Sequence, residues 1–254
     1  MAFPSIPTVA AGRVVTGVDT VGGATKTFPS LTGLTKNVGD LLIAICLEYD
    51  GNSTNAEFSG WGASFLEFGD FATTTSLSIG CAYKFSTGSE TGTFTVTTAD
   101  SSTNDSAFFL LSIEGAHDTT PPESGGYGSG ANANADAGSL DPSGWDAEDT
   151  LWIAVAGCGE TATGGSFTGM ASAPTSYVDY AETGISADVV GGIEGAVAFR
   201  QLNAASEDPG TFTNDVSNSR WGACTIAIRP VAAVEVFGTR ERYALQAVNR
   251  SSVF

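Results

Sequence analysis

Leu77-Ser78-Ile79-Gly80-Cys81-Ala82-Tyr83-Lys84-Phe85 puts Leu, Ile, Cys, Tyr and Phe on one side of an extended chain and smaller or polar residues on the other. Successive side chains in a strand point to opposite faces, so this period of two reads as a strand with one face buried. Thr93-Phe94-Thr95-Val96-Thr97 repeats the pattern with β-branched residues that suit a pleated surface. Leu41 to Leu47 and Leu151 to Ala156 are apolar on both faces, as strands covered from two sides are. Gly, Ser, Thr, Asn and Asp clusters cut these segments at short intervals, and helical periodicity is nearly absent before residue 230. The pattern predicts an all-β fold of antiparallel β-sandwiches, jelly-roll or Ig-like.

An internal repeat organises the chain. Ser30-Leu31 with Asp40 matches Ser139-Leu140 with Asp149 at an offset of 109, and Phe58-Ser59-Gly60-Trp61 matches Phe167-Thr168-Gly169-Met170 at the same offset. Ala82-Tyr83-Lys84 pairs with Ala198-Phe199-Arg200, and Gly92-Thr93-Phe94-Thr95 with Gly210-Thr211-Phe212-Thr213. Each half closes on an apolar strand, Phe108 to Ile113 and Trp221 to Ile228. The expected organisation is two tandem, internally duplicated sandwich halves, 1–117 and 118–230, with a C-terminal arm, 231–254. Pro121-Pro122 marks the join, since neither proline donates to a ladder. Ser124 to Gly138 reads either as a linker or as the counterpart of the strand-like Gly22 to Phe28, its alternating alanines allowing close approach of a neighbour.

The 254 residues carry 10 basic and 28 acidic side chains, a net charge of −18. Such a polyanion repels nucleic-acid phosphate and acidic headgroups, so neither nucleic acid nor membrane is an expected partner. No apolar run approaches the roughly 20 residues of a membrane-spanning helix. Met1 to Pro7 lacks the basic and apolar regions of a secretory signal. Cys46, Cys81, Cys158 and Cys224 each fall inside a strand-like stretch, which predicts buried free thiols rather than a disulfide framework. The arm differs from the body: Arg240, Arg242 and Arg250 outnumber Glu235 and Glu241, giving +1 against −19 for the rest. Thr239 is placed to cap a short helix through about Asn249, with Tyr243 and Arg250 along one side, and the chain ends at Val253-Phe254. Arg240, Arg242, Tyr243, Arg250 and Phe254 are the candidate partner-docking residues.

Residues that carry chemistry are sparse. The only histidine, His117, sits beside Asp118 in the turn between the repeats, and no Gly-x-Ser-x-Gly with a strand-to-helix setting accompanies it. No CxxC pair, Walker loop or dinucleotide fingerprint occurs. Glu48 to Asn55 offers oxygen ligands in a turn, the one candidate calcium loop, but lacks EF-hand spacing. Trp61 and Trp145, each next to a glycine, are candidate sugar-stacking platforms, with a recurring apolar plug as the favoured reading because Met170 replaces Trp61 in the repeat. The expectation is therefore no catalytic site, no cofactor and no metal.

Gly-Asp-Leu-Leu-Ile-Ala (39–44), Ser-Gly-Trp (59–61), Ala-Tyr-Lys (82–84) and Ile-Ala-Ile-Arg-Pro (226–230) together resemble the β-sandwich structural proteins of tailed bacteriophages, a group also seen in bacterial surface proteins. The resemblance spans most of 12–230 in two copies and departs at Phe58, where a proline is usual, and at Met170. It implies a non-enzymatic virion component, capsid-associated as decoration, cement or spike protein, that assembles in the host cytoplasm. It also implies partners such as a major capsid protein and further copies of the chain. The alternative is a carbohydrate-binding or adhesive module on a tail or cell surface.

Overall fold

The computed structural model describes residues 2–6, 12–20, 23, 25–49, 66–72, 77–97, 105–131, 134–159, 170–184, 192–214 and 220–232. Among them are strands, one 3-10 turn (Leu31–Gly33) and no α-helix. The first half holds β1 (Val14–Asp19), β2 (Thr25–Thr27), β3 (Leu41–Tyr49), β4 (Leu66–Ala72), β5 (Leu77–Phe85), β6 (Thr95–Thr97) and β7 (Ser106–Ile113). The second holds β8 (Glu123–Gly130), β9 (Asn134–Ala137), β10 (Glu148–Gly159), β11 (Met170–Ser172), β12 (Val178–Gly184), β13 (Ile193–Ala204), β14 (Gly210–Asn214) and β15 (Arg220–Ile228).

Two five-stranded antiparallel sheets dominate, in the orders β1-β7-β3-β5-β4 and β8-β15-β10-β13-β12. A small sheet covers the outer face of each, β2-β6 on the first and β9-β14-β11 on the second. The alternation in the sequence sets these layers. Leu41, Ile43, Ile45 and Leu47 of β3 point into a central core with Leu151, Ile153 and Val155 of β10. The intervening Leu42, Ala44 and Cys46 point outward under Phe28 and Val96. On the other side Trp152, Ala154 and Ala156 meet Ala135, Ala137 and Phe212. Both halves thus contribute to one central core between the large sheets, and each keeps an outer core of its own. The four cysteines are free and buried within these layers.

Strand order and register agree between the halves. Leu41 pairs with Phe85 and Ile113, and Leu151 pairs with Gln201 and Ile228; Ala44 faces Ala82 as Ala154 faces Ala198. Gly92 and Gly210 both start their strand region with φ of +79°, a conformation glycine adopts without penalty. Register also corrects the alignment of β3 with β10. At an offset of 109 Leu41 would match Thr150, yet Leu41 faces the central core while Thr150 shares the outer face with Trp152. A one-residue slip exchanges the two faces of a strand, so facing residues correspond at an offset of 110. A second correction concerns Ser124 to Gly138. The stretch is neither a linker nor one counterpart of Gly22 to Phe28: its first part is β8, placed as β1 is, and its last part is β9, placed as β2 is. Ala135 and Ala137 are fully buried there.

The large sheets stack strand over strand: β1 on β12, β7 on β13, β3 on β10, β5 on β15 and β4 on β8. Exchanging each strand for its counterpart turns β1 on β12 into β8 on β4, and returns the same set of pairs. That is the relation of a two-fold axis across a self-complementary interface, realised here inside one chain. The axis passes where β3 crosses β10, and the residues on it break the symmetry. A Cβ on Gly159 would run into the Tyr49 ring, and one on Gly195 into Leu47 and Phe109; Gly157 lies against Leu47 and Leu77. Large side chains of the first half enter spaces left by glycines of the second.

Candidate functional site

The predicted docking residues Arg240, Arg242, Tyr243, Arg250 and Phe254 lie outside the described residues, as do Trp61 and the calcium-loop positions Asp50 to Asn55. Glu48, at the start of that loop, is buried on β3. Trp145 is a plug rather than a platform: it is buried in the second outer core with the Arg229 guanidinium 5.6 Å from its ring centre. His117 Nδ1 accepts from the backbone N–H of Thr119 (3.3 Å) and Thr120 (3.0 Å), and Asp118 stands 3.8 Å away. The imidazole serves the turn between the halves, with its Nδ1 lone pair already engaged.

Polar side chains gather at three places. At the pole where the halves join, Arg13 donates to Asp40 (2.5 Å), Ser112 (3.2 Å) and Glu114, and Asp40 also accepts from Ser112 (3.1 Å) and Asn37 N (2.7 Å). The second half has its own arginine there, Arg229, donating through Nε (2.8 Å) and a terminal nitrogen to Glu148. That carboxylate holds the Arg229 proton more firmly than usual, against the opposing effect of burial. Both pairs tie the strand after a turn to the strand closing the half.

At the opposite pole a polar row crosses the outer face of the first sheet. Register places Asp19, Ser106, Glu48 and Ser78 side by side on β1, β7, β3 and β5. All four are buried, and fully buried Lys26 of β2 lies within electrostatic reach of Asp105 and Cys46. Burial raises the Asp105 carboxyl, with Lys26 pulling it down and Asp19 pushing it up. Burial likewise pushes the Cys46 thiol well up, helped by Glu48, so Cys46 is held as the poorly nucleophilic thiol. The Ser106 hydroxyl is fully buried without a hydrogen-bond partner among the described residues. In the second half the same row reads Gly130, Trp221, Cys158 and Glu194. The Trp221 indole lies over Gly130, where a Cβ would meet it at 2.7 Å. One half fills this end with an indole and the other with a charged cluster. The filling role in one half argues for the same role at the matching place in the other, and a sealed group cannot reach a substrate proton.

The third place is open. A cleft of about 590 Å³ runs beside edge strand β12, lined by Ile6, Leu151 and Phe199 on its floor and by Ser5, Asp179, Arg200 and Gln201 on its rim. Ser176 and Asp179 adopt φ of +73° and +52°, a left-handed conformation uncommon outside glycine. A bulge between Val178 and Ala181 interrupts the pairing of β12 with β13, and bulges re-aim side chains. Val178 is 63% exposed on the cleft. Arg200 is held by Glu207 (2.6 Å) and Gln201 donates to Pro4 O (2.9 Å).

This region carries a sequence signal that the repeat pairs above leave out. Ser176-Tyr177-Val178-Asp179-Tyr180-Ala181-Glu182 matches Ser64-Phe65-Leu66-Glu67-Phe68-Gly69-Asp70 at an offset of 112. Leu66 pairs with Tyr83 as Val178 pairs with Phe199, each just before a bulge, and both are exposed, Leu66 at 59%. The two edge strands therefore carry the same aliphatic–acid–aromatic order. No family model matches the chain, and no curated protein matches it. Among the described residues no helix is long and apolar enough to cross a membrane.

Proposed function

We propose that the chain is a non-enzymatic structural component of a tailed-phage virion, a capsid-associated decoration, cement or spike protein. It packs against a major capsid protein or further copies of itself, within particles assembled in the host cytoplasm. The observation that carries this reading is the internal two-fold pairing of the halves. Two sheets stacked through their most apolar faces, each covered outside by a small sheet, make a block that leaves edges and poles for lateral contact with neighbours. The buried polar groups described above fit structural tasks: the Arg13 and Arg229 networks close each half, and the Lys26 row occupies a place that Trp221 fills in the other half. The acidic body limits clumping of free copies by mutual repulsion.

The resemblance to phage sandwich proteins, and common descent of the two halves by duplication, belong to this proposal. An adhesive or glycan-binding role would call for exposed aromatic side chains along a groove; among the described residues lining the cleft the one aromatic, Phe199, is 3% exposed. The test is particle composition with a glycan array as the counter-measurement. Chains found on the shell in threefold or sixfold clusters support decoration. Chains at a tail tip that bind arrayed sugars favour adhesion instead.

A further inference from the structure

The geometry points to a second copy of this chain as the partner of the cleft beside β12, which receives the exposed edge of the neighbour's β4. The inference rests on the assembly reading and deepens it by naming the two surfaces that meet. Among the described residues β12 and β4 are edges of their sheets, and since β1 lies on β12 and β8 on β4, they fall at opposite sides of the block. The two-fold relation between the halves makes those sides two versions of one surface. Val178 pairs with Phe199 as Leu66 pairs with Tyr83, and Leu151 pairs with Gln201 as Leu41 pairs with Phe85.

The two versions are filled differently. On the β12 side Gln201 turns to Pro4 O, and an open cleft remains with exposed Val178 at its lip. On the β4 side Phe85 stands where Gln201 does, its ring centre 6.3 Å from that of Tyr83, which lies 5.9 Å from that of Phe68. Tyr127 of β8 reaches across to β4, its hydroxyl 3.4 Å from where a Cβ on Gly69 would sit. Leu66 and Tyr127 therefore stand exposed beside half-buried Phe68, Tyr83 and Phe85. The bulge in each edge strand blunts backbone pairing there, so the contact is one of side chains.

The difference in filling selects how two copies meet. Cleft against cleft encloses a void, and filled side against filled side leaves no space to enter; close packing favours one of each. The same device joins the halves inside the chain, where Leu47 lies over Gly195. A contact between unlike sides leaves every added copy with one cleft or one filled edge still to engage. It therefore continues from copy to copy, closing into a ring or running on as a filament.

Sedimentation velocity of the purified full chain over a range of concentrations tests this. It is done at about 0.15 M salt, where repulsion between the acidic bodies is screened over roughly 8 Å. The unsubstituted chain is expected to form species of three or more copies. Val178→Asp and Leu66→Asp, each removing one apolar anchor, are each expected to weaken association about tenfold or more. An equimolar mixture of the two variants is expected to recover association but to stop at two copies, because the intact cleft of one meets the intact β4 edge of the other. Val178→Ser and Leu66→Ser replace the aspartates in the same mixture if either aspartate variant melts low. A chain that is monomeric at every concentration overturns the inference, as does assembly that ends at two copies in the unsubstituted chain. Association untouched by either substitution, or a mixture of folded variants that stays monomeric, overturns it too. The readout is the purified chain rather than the particle, so its failure leaves particle composition to judge the virion reading separately.

Discussion

Leu47 and Gly157 occupy corresponding positions of the two halves and meet across the axis between them. In a true dimer of either half, two leucines would collide there or two glycines would leave a void. The single chain places one of each there. Gly195→Ala forces a methyl into Leu47 and Phe109, and overpacking of this kind costs about 1–3 kcal/mol. Leu47→Ala alone opens a cavity and costs about 2–5 kcal/mol. Denaturant unfolding of both single variants and the double variant is expected to show the double as less damaged than the sum, because the alanine methyl enters the space leucine vacates. Additive losses would remove the steric account. At the pole, Arg13→Met leaves Asp40 buried without its guanidinium, a loss of about 3–5 kcal/mol, and adding Asp40→Asn to it is expected to recover part of the melting temperature. Burial alone would raise the Glu90 carboxyl, but hydrogen bonds from Thr87 N–H and the Ser86 and Thr87 hydroxyls hold it at about 2. A lowered carboxyl stabilises the fold above its ordinary value of 4.5, and that stabilisation is lost as pH falls toward about 2. The melting temperature of Glu90→Gln is therefore expected below that of the unsubstituted chain at neutral pH, with the two converging as pH approaches about 2; a constant gap would contradict this.

At the scale of elements, the strands were legible because period two survives wherever one face is buried, as in Leu77 to Phe85. The pairing of β3 with β10 was legible only to within one residue. Asp40 and Asp149 look alike, but which face Leu41 or Thr150 takes depends on the neighbouring sheet. Ser124 to Gly130 hid its strand because its glycines do not declare a face; they are there to admit Trp221 and the backbone of β9. Lys26 carried no signal, since a lysine in a short Thr-Lys-Thr strand reads as solvated until the residues above it are known. The cleft was missed for another reason: its lining comes from the N-terminal segment, β10, β12 and β13, and only the matching heptapeptides at 64–70 and 176–182 hinted at it. The arm's docking residues were legible as chemistry, while their location falls outside the described residues. Edge strands β4 and β12, with Leu66 and Val178 exposed before their bulges, are the elements most suited to neighbours. Lysine at both positions, at little cost to melting temperature, is expected to weaken assembly, since charges on an edge oppose edge-to-edge pairing.

At the scale of the whole molecule, four layers of sheet are stacked, and the two inner ones share a central core that neither half completes alone. An acidic body of net −19 with an arm of +1 gives copies a long-range repulsion and one short segment able to offset it locally. Their balance shifts with ionic strength, since surface charges are screened over roughly 8–10 Å at 0.1–0.15 M salt. On the proposed structural role, the block acts through where it sits and how many copies sit together. The most direct measurement is cryo-electron microscopy of the particles that carry the chain, with copy number counted from the map. Clusters of three or six copies on the shell, joined through sheet edges or arms, are the predicted result. A chain that stays monomeric and is absent from every assembled particle would contradict the account.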